Sequence, residues 1–189
     1  MDSTMEITLV SKNSFRIKGK QISFIVDPEK SEGKGEYNAK LFLTNSLEMA
    51  VLPKEDGSSL IIYSPGDYEV AGVKITAIKQ NGGLLYDLTV DGVKMLIGSS
   101  LLYTQLKDKL DEHHVALIKV DSEIDEAAIT NVAPSIVLLY GDKAVEQAKV
   151  LQKDTSGVTE GGSADIKPVS KFSTSLDKLP AETQVVLLG

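Results

Sequence analysis

Few residues in this chain are of the kinds that do chemistry. There is no cysteine, and the two histidines, His113 and His114, stand side by side in "DEHH" at 111–114. Asp111, Glu112 and two imidazoles are donor types that suit a transition metal. Adjacent side chains point in different directions, however, and a histidine near a helix C-terminus is electrostatically comfortable there without any ligand. Ser99-Ser100 offers a nucleophile, which needs a base within hydrogen-bond reach. Asp67 and Glu69 flank Tyr68 as paired acid–base carboxylates do, but strand alternation puts both on one face, the solvent side. "GKGEYN" at 33–38 is a charged turn, and no G-x-S-x-G elbow, Walker loop or complete G-x-G-x-x-G occurs. The stretch "KLFLTNSLEMAVLP" at 40–53 reads as a buried strand breaking into a loop, a favoured place for chemistry in layered α/β proteins. Apart from Glu48, that loop offers an amide, hydroxyls and hydrocarbon.

Composition narrows the partners. A formal charge of −7 and a pI near 4.9 repel phosphate backbones and anionic lipid, so neither nucleic acid nor membrane is an expected partner. Lys18, Lys20, Lys30, Lys34 and Lys40 are interleaved with Asp27, Glu29, Glu32 and Glu36, a solvated mixed-sign surface rather than a basic patch. Without cysteine, disulfides and thiolate metal sites are excluded. No apolar h-region follows the start and no run approaches a membrane span, which makes cytoplasmic the expected location. A length of 189 residues fits one domain over 1–189, with 1–4 an overhang before the patterned sequence starts at Met5.

The elements expected to position these residues change character near residue 100. Before it, short strands alternate around turns: Ile7 and Leu9; Phe15 and Ile17, then Ile22, Phe24 and Val26; Leu60 to Tyr63; Tyr68 to Ile78 around Ala71-Gly72; and Tyr86 to Val90, turning at Asp91-Gly92 into Val93, Met95 and Ile97. After it the period moves towards 3.6. A helix is expected over Leu101–Asp111 with Leu102, Leu106 and Leu110 inward, a second starting in a Ser122/Asp125 capping box and ending before Pro134, and a third over Asp142–Lys153 with Val145, Ala148 and Leu151 inward. Apolar strands are expected at Val115–Val120, Ile136–Tyr140, Val169–Ser173 and Gln184–Leu188, with 154–165 a flexible loop. A meander followed by alternating β and α elements indicates an α/β sandwich of two facing sheets with helices outside.

Certain residues carry a likeness beyond periodicity. "MEITLVSKNSFRI" (5–17), "FIVDP" (24–28), "SPGDYEVAGVKI" (64–75), "VDGVKMLIGSSL" (90–101), "APSIVLLYGD" (133–142) and "LDKLPAETQVVLL" (176–188) resemble, in order, successive segments of the metallo-β-lactamase fold. The branch they resemble is the one similar to L-ascorbate-6-phosphate lactonase. The resemblance implies a four-layer αβ/βα sandwich, self-association, and a groove at one edge where Zn²⁺ or Mn²⁺ activates a water for hydrolysis. Such a metal needs several imidazole and carboxylate donors with one position left open.

Carried over position by position, the resemblance implies that those donors are missing. The His-x-His-x-Asp-His motif after "KLFLT" falls on Ser46, Glu48, Ala50 and Val51; the N-terminal glycine-histidine falls on Ser11-Lys12; the bridging aspartate falls at Ser100 and the late histidine near Gly141. "DEHH" falls on a helix–strand junction away from the groove. The expectation is therefore a vestigial groove with no metal, no cofactor and no catalytic residue, with a Lys12–Glu48 ion pair standing in for the metal's charge. The protein is expected to act as a binding, regulatory or oligomerising module for an unknown small-molecule or protein partner, or for a second copy of itself. The alternative is a hydrolase of a lactone, ester or phosphoester. It would use a displaced metal on Glu48 and Asp27, or a metal-free Ser99-Ser100 nucleophile with Lys12 as base.

Overall fold

The computed structural model describes residues 4–29, 36–44, 59–107, 110–155 and 166–189, with backbone alone for 153–155. Ser46, Glu48, Ala50, Val51 and most of the 154–165 loop lie outside the described residues. Two mixed sheets face each other. One contains β1 (Met5–Ser11), β2 (Ser14–Lys18), β3 (Ser23–Val26), β4 (Ala39–Leu41), β5 (Leu60–Ile62) and β12 (Lys171–Thr174), in the order β12-β1-β2-β3-β4-β5. The other contains β6 (Gly66–Val70), β7 (Val73–Gln80), β8 (Gly83–Val90), β9 (Val93–Ser99), β10 (Val115–Lys119), β11 (Ile136–Tyr140) and β13 (Gln184–Leu187), in the order β13-β11-β10-β9-β8-β7-β6.

In the seven-stranded sheet β6 to β9 pair antiparallel and β9, β10, β11 and β13 pair parallel, following the two sequence periods, while in the six-stranded sheet β12, β1, β2 and β3 pair antiparallel and β3, β4 and β5 parallel. The β6–β7 and β8–β9 turns place Ala71-Gly72 and Asp91-Gly92 at positive φ (49° and 80°; 49° and 84°), the geometry that matches the twist of a tight hairpin. Alternate residues such as Ile7, Phe15, Ile17, Phe24, Ile75, Tyr86, Met95 and Leu117 meet between the sheets in one aliphatic core. The intervening set, including Leu85, Leu96, Ala116, Ile118, Val137 and Leu139, packs beneath α1 (Ser100–Tyr103), α2 (Glu126–Val132) and α3 (Ala144–Thr155). Asp67 and Glu69 on edge strand β6 are both solvent-exposed, as alternation requires. Among the described residues no helix is long and apolar enough to cross a membrane.

Three helix expectations need correction. α1 stops at Tyr103, although Leu106 and Leu110 still pack on the outer core. Asn131 holds that segment in place: its Nδ2 donates to the Leu106 carbonyl (2.9 Å) and its own carbonyl accepts from Leu110 N–H (3.0 Å). α2 is capped by Asp125, which accepts from Ala127 N–H, rather than by Ser122, whose hydroxyl is engaged elsewhere. α3 begins at Ala144 and buries Ala144, Ala148 and Leu151, while Val145 is exposed.

Candidate functional site

The parallel strands β3, β4, β9, β10 and β11 end at the same edge of the sandwich, where an α/β sheet conventionally presents its site. Groups from both sheets meet there. Lys12, in the β1–β2 turn, reaches across to Asp142, just beyond β11, with Nζ 2.5 Å from Oδ1. The Lys12 charge and hydrogen bond hold the Asp142 carboxyl below the usual carboxylate range. Gly141, at φ 100°, occupies the left-handed turn between Tyr140 and Asp142, where a Cβ would sit 3.2 Å from the Val120 carbonyl.

Asp27 follows β3 at φ 46°. Its Oδ1 accepts from Leu43 N–H at 2.9 Å and its own N–H donates to the Leu41 carbonyl at 2.8 Å, so it pins the exit of β4. Its Oδ2 lies 4.0 Å from Lys119 Nζ, at the end of β10. Burial pushes the Asp27 carboxyl up, against the downward pull of the Leu43 bond and the Lys119 charge. A second tie between the sheets runs from Tyr86, whose hydroxyl donates to the carbonyls of Phe42 (2.6 Å) and Ile62 (3.0 Å).

Ser100 is fully buried and fully engaged. Its hydroxyl donates to Asp121 Oδ1 at 2.6 Å, lies 2.9 Å from Ser122 Oγ, and accepts from Ser122 N–H (2.9 Å) and Asp121 N–H (3.2 Å). It clasps the end of β9 to the loop after β10 and is not presented to a substrate. Lys12 pairs with Asp142 and is exposed, so the Ser-Lys arrangement weighed from sequence does not form. The Lys12–Glu48 pair involves a residue outside the described set; the carboxylate found on Lys12 is Asp142.

His113 and His114 lie at the start of β10, roughly 16 Å along the strand from this edge. His113 is buried with Nε2 3.3 Å from Asp87 Oδ1, and His114 Nδ1 accepts from Lys94 N–H at 3.0 Å. Burial pushes Asp87 up, but His113 and Lys94 outweigh it and leave the carboxyl below its ordinary value. This pair knits β8, β9 and the β10 entry together. A 270 Å³ depression lined by Ile129, Pro134 and Leu151 lies on the helical side and holds one titratable group, Glu126.

The metal that this fold implies can be tested against the donors. Among the described residues no group of three or more His, Asp or Glu side chains could hold an ion. Lys12 brings a positive charge and, as an ammonium, no lone pair; Ser100 is occupied by Asp121 and Ser122; Gly141 has no side chain. The described residues at this edge do not fit a hydrolytic divalent ion. Sequence reasoning missed Asp121, Tyr140 and Asp142, whose one visible signal was their place at the end of an apolar strand or within two residues beyond it.

Neither a protein-family model nor a curated protein sequence matches this chain. Solved structures do resemble it. A candidate Zn-dependent hydrolase of the metallo-β-lactamase superfamily from Thermotoga maritima matches with TM-score 0.67 and 17% identity over 97% of this chain and 98% of that one. Igni18, a metallo hydrolase from the archaeon Ignicoccus hospitalis, matches with TM-score 0.58 and 10% identity over 92% and 99%. A candidate metal-dependent hydrolase from Parabacteroides distasonis matches with TM-score 0.53 and 17% identity over 80% and 90%. At these identities the likeness establishes the fold: the chain is an α/β sandwich of the metallo-β-lactamase type.

Proposed function

We propose that this protein is a metal-free, catalytically degenerate member of the metallo-β-lactamase fold, of the branch similar to L-ascorbate-6-phosphate lactonase, that works by binding rather than by hydrolysis. The observation that carries this reading is the Lys12–Asp142 pair. By the resemblance Lys12 falls at a position of a ligand imidazole; it is a cation with no lone pair to give, and the carboxylate it meets, Asp142, is thereby engaged. Ser100 supports it, because a hydroxyl saturated by Asp121, Ser122 and two backbone N–H groups neither bridges metals nor attacks a substrate. The partner class is a small molecule, another protein or a second copy of the chain.

The test is a hydrolysis screen of lactone, carboxylic ester and phosphodiester substrates with added Zn²⁺ or Mn²⁺. Rates equal to those of the metal ion alone are expected. Saturable turnover that a chelator abolishes would overturn the proposal in favour of a hydrolase with a displaced metal.

A further inference from the structure

His113, on the approach to β10, is buried with neither ring nitrogen hydrogen-bonded. Its Nε2 lies 3.3 Å from Asp87 Oδ1, inside ion-pair range but without hydrogen-bond geometry, and its Nδ1 has no partner. Native interiors rarely leave polar groups unpaired, so the protonation state of this ring decides what its burial costs. A neutral imidazole leaves both an N–H and a lone pair unanswered. An imidazolium has no lone pair to leave, and its charge meets a carboxylate.

The charges on this face favour the imidazolium. Asp87 comes from β8, and its Oδ2 also lies 3.8 Å from Lys94 Nζ on β9. Asp111, from the approach to β10, is 4.0 Å from the same ammonium. Asp87 and Asp111 thus share one lysine, which leaves negative charge for the ring to answer. On β7 the residue opposite Asp87 is Thr76, which carries no charge; Lys74, two residues before it, is exposed and lies opposite Glu69 of β6. From α2, Asn131 meets Leu110 and is uncharged. Glu112 is exposed beside the ring, and His114 turns its Nδ1 to Lys94 N–H. Burial raises the Asp87 carboxyl, yet it stays below its ordinary value, as a carboxylate facing cations does.

Residues 110–114 are tied down on either side of this contact. Leu110 N–H donates to the Asn131 carbonyl at 3.0 Å and His114 N–H to the Lys94 carbonyl at 2.9 Å. His114 Nδ1 accepts from Lys94 N–H at 3.0 Å, a bond that requires that nitrogen to be unprotonated. The two neighbouring histidines therefore answer acid in opposite senses: His113 gains a partner and His114 loses one.

We propose that His113 and Asp87 form a pH-operated latch on residues 110–114. With His113 protonated, the pair closes and holds the approach to β10 on the outer face of the seven-stranded sheet. With His113 neutral, the ring is buried without a partner and the stretch opens more readily to water. Histidine ordinarily changes charge between roughly pH 5 and 8, so the latch works across the neutral range. A partner gained by the cationic form stabilises the closed stretch at low pH, and that contribution is lost as pH rises. The latch lies at the opposite end of β10 from the candidate site, goes beyond the binding reading, and stands whether or not that site holds a metal.

The test is amide hydrogen exchange of the full chain, followed by NMR from pH 5.5 to 8, with each rate divided by the intrinsic rate at that pH. Protection at the Leu110 and His114 amides should fall at least about tenfold over this range, the scale of one hydrogen bond to a charged group. His113→Gln and Asp87→Asn should each abolish the fall, and either variant alone suffices if the other does not fold. His114→Gln removes the only other titrating ring and should keep the fall. Protection that is constant or rises with pH would overturn the proposal. So would a fall that persists undiminished in His113→Gln or Asp87→Asn, or one that His114→Gln abolishes.

Discussion

Replacing Ser100 with alanine distinguishes a structural clasp from a latent nucleophile. The change removes one oxygen and leaves the backbone in place. In the folded protein that oxygen donates to Asp121 at 2.6 Å and accepts from two backbone N–H groups at 2.9 and 3.2 Å. All of this lies around a residue with no solvent exposure. A hydrogen bond to a charged group contributes about 1.5–3 kcal/mol, and leaving a buried donor unpaired costs about 1–3 kcal/mol. Ser122 Oγ, 3.4 Å from Asp121 Oδ1, can turn to recover part of the loss. A net destabilisation of about 3 kcal/mol follows. For a chain of this length that lowers Tm by roughly 6–12 °C. Urea unfolding followed by circular dichroism gives the free energy directly, with an unchanged m-value showing that the unfolded state is the same. A loss below about 0.5 kcal/mol, typical of a surface substitution, would refute the clasp.

Asp27 gives a pH prediction. Burial raises its folded pKa, so between the unfolded value of about 3.9 and that higher folded value the native state binds more protons than the unfolded one, and stability falls as pH rises through the window. Asp27→Asn should flatten that decline in urea midpoints measured from pH 4.5 upward, while an unchanged slope would show that Asp27 is not its source. In the opposite direction, Glu6 and Asp87 have lowered values, so their contribution is present above the ordinary carboxylate range and disappears on acidification. Asp87→Asn should therefore make the acid limb of the stability curve shallower, and an identical limb would contradict this. Gly98→Ala would put a Cβ 2.3 Å from Leu85 Cδ2 within a closed layer; a loss of about 1–3 kcal/mol is expected, and a neutral result would mean that Leu85 has room to move.

Much of the strand framework was legible because its signals are local. Asp91-Gly92 and Ala71-Gly72 dictate tight hairpins through φ alone, and the strands on either side alternate as their pairing demands. Helical boundaries were less legible because tertiary contacts decide them. Leu102, Leu106 and Leu110 keep a helical spacing, yet Asn131 satisfies the backbone of the last two in a non-helical segment. Ser122 looked like an N-cap until Ser100, 22 residues earlier, drew off its hydroxyl and left Asp125 to do the capping. The inward face of α3 was misjudged by one residue at its start, where Ala144 rather than Val145 is buried. At the candidate site, the resemblance named positions to inspect, of which Lys12, Ser100 and Gly141 lie among the described residues. Their partners were not legible: Lys12 and Asp142 are joined by the facing of two sheets, and no local periodicity encodes a contact across that distance in the chain.

The central claim is that the described residues at this edge of the sandwich lack the donors to hold a hydrolytic metal. It is tested most directly by elemental analysis of the full chain after incubation with excess Zn²⁺ or Mn²⁺ and exhaustive dialysis. Substoichiometric metal, unchanged in a Lys12→Ala variant, is the predicted result. One or more tightly held equivalents per chain, lost when Asp27 or Asp142 is replaced by alanine, would contradict the account.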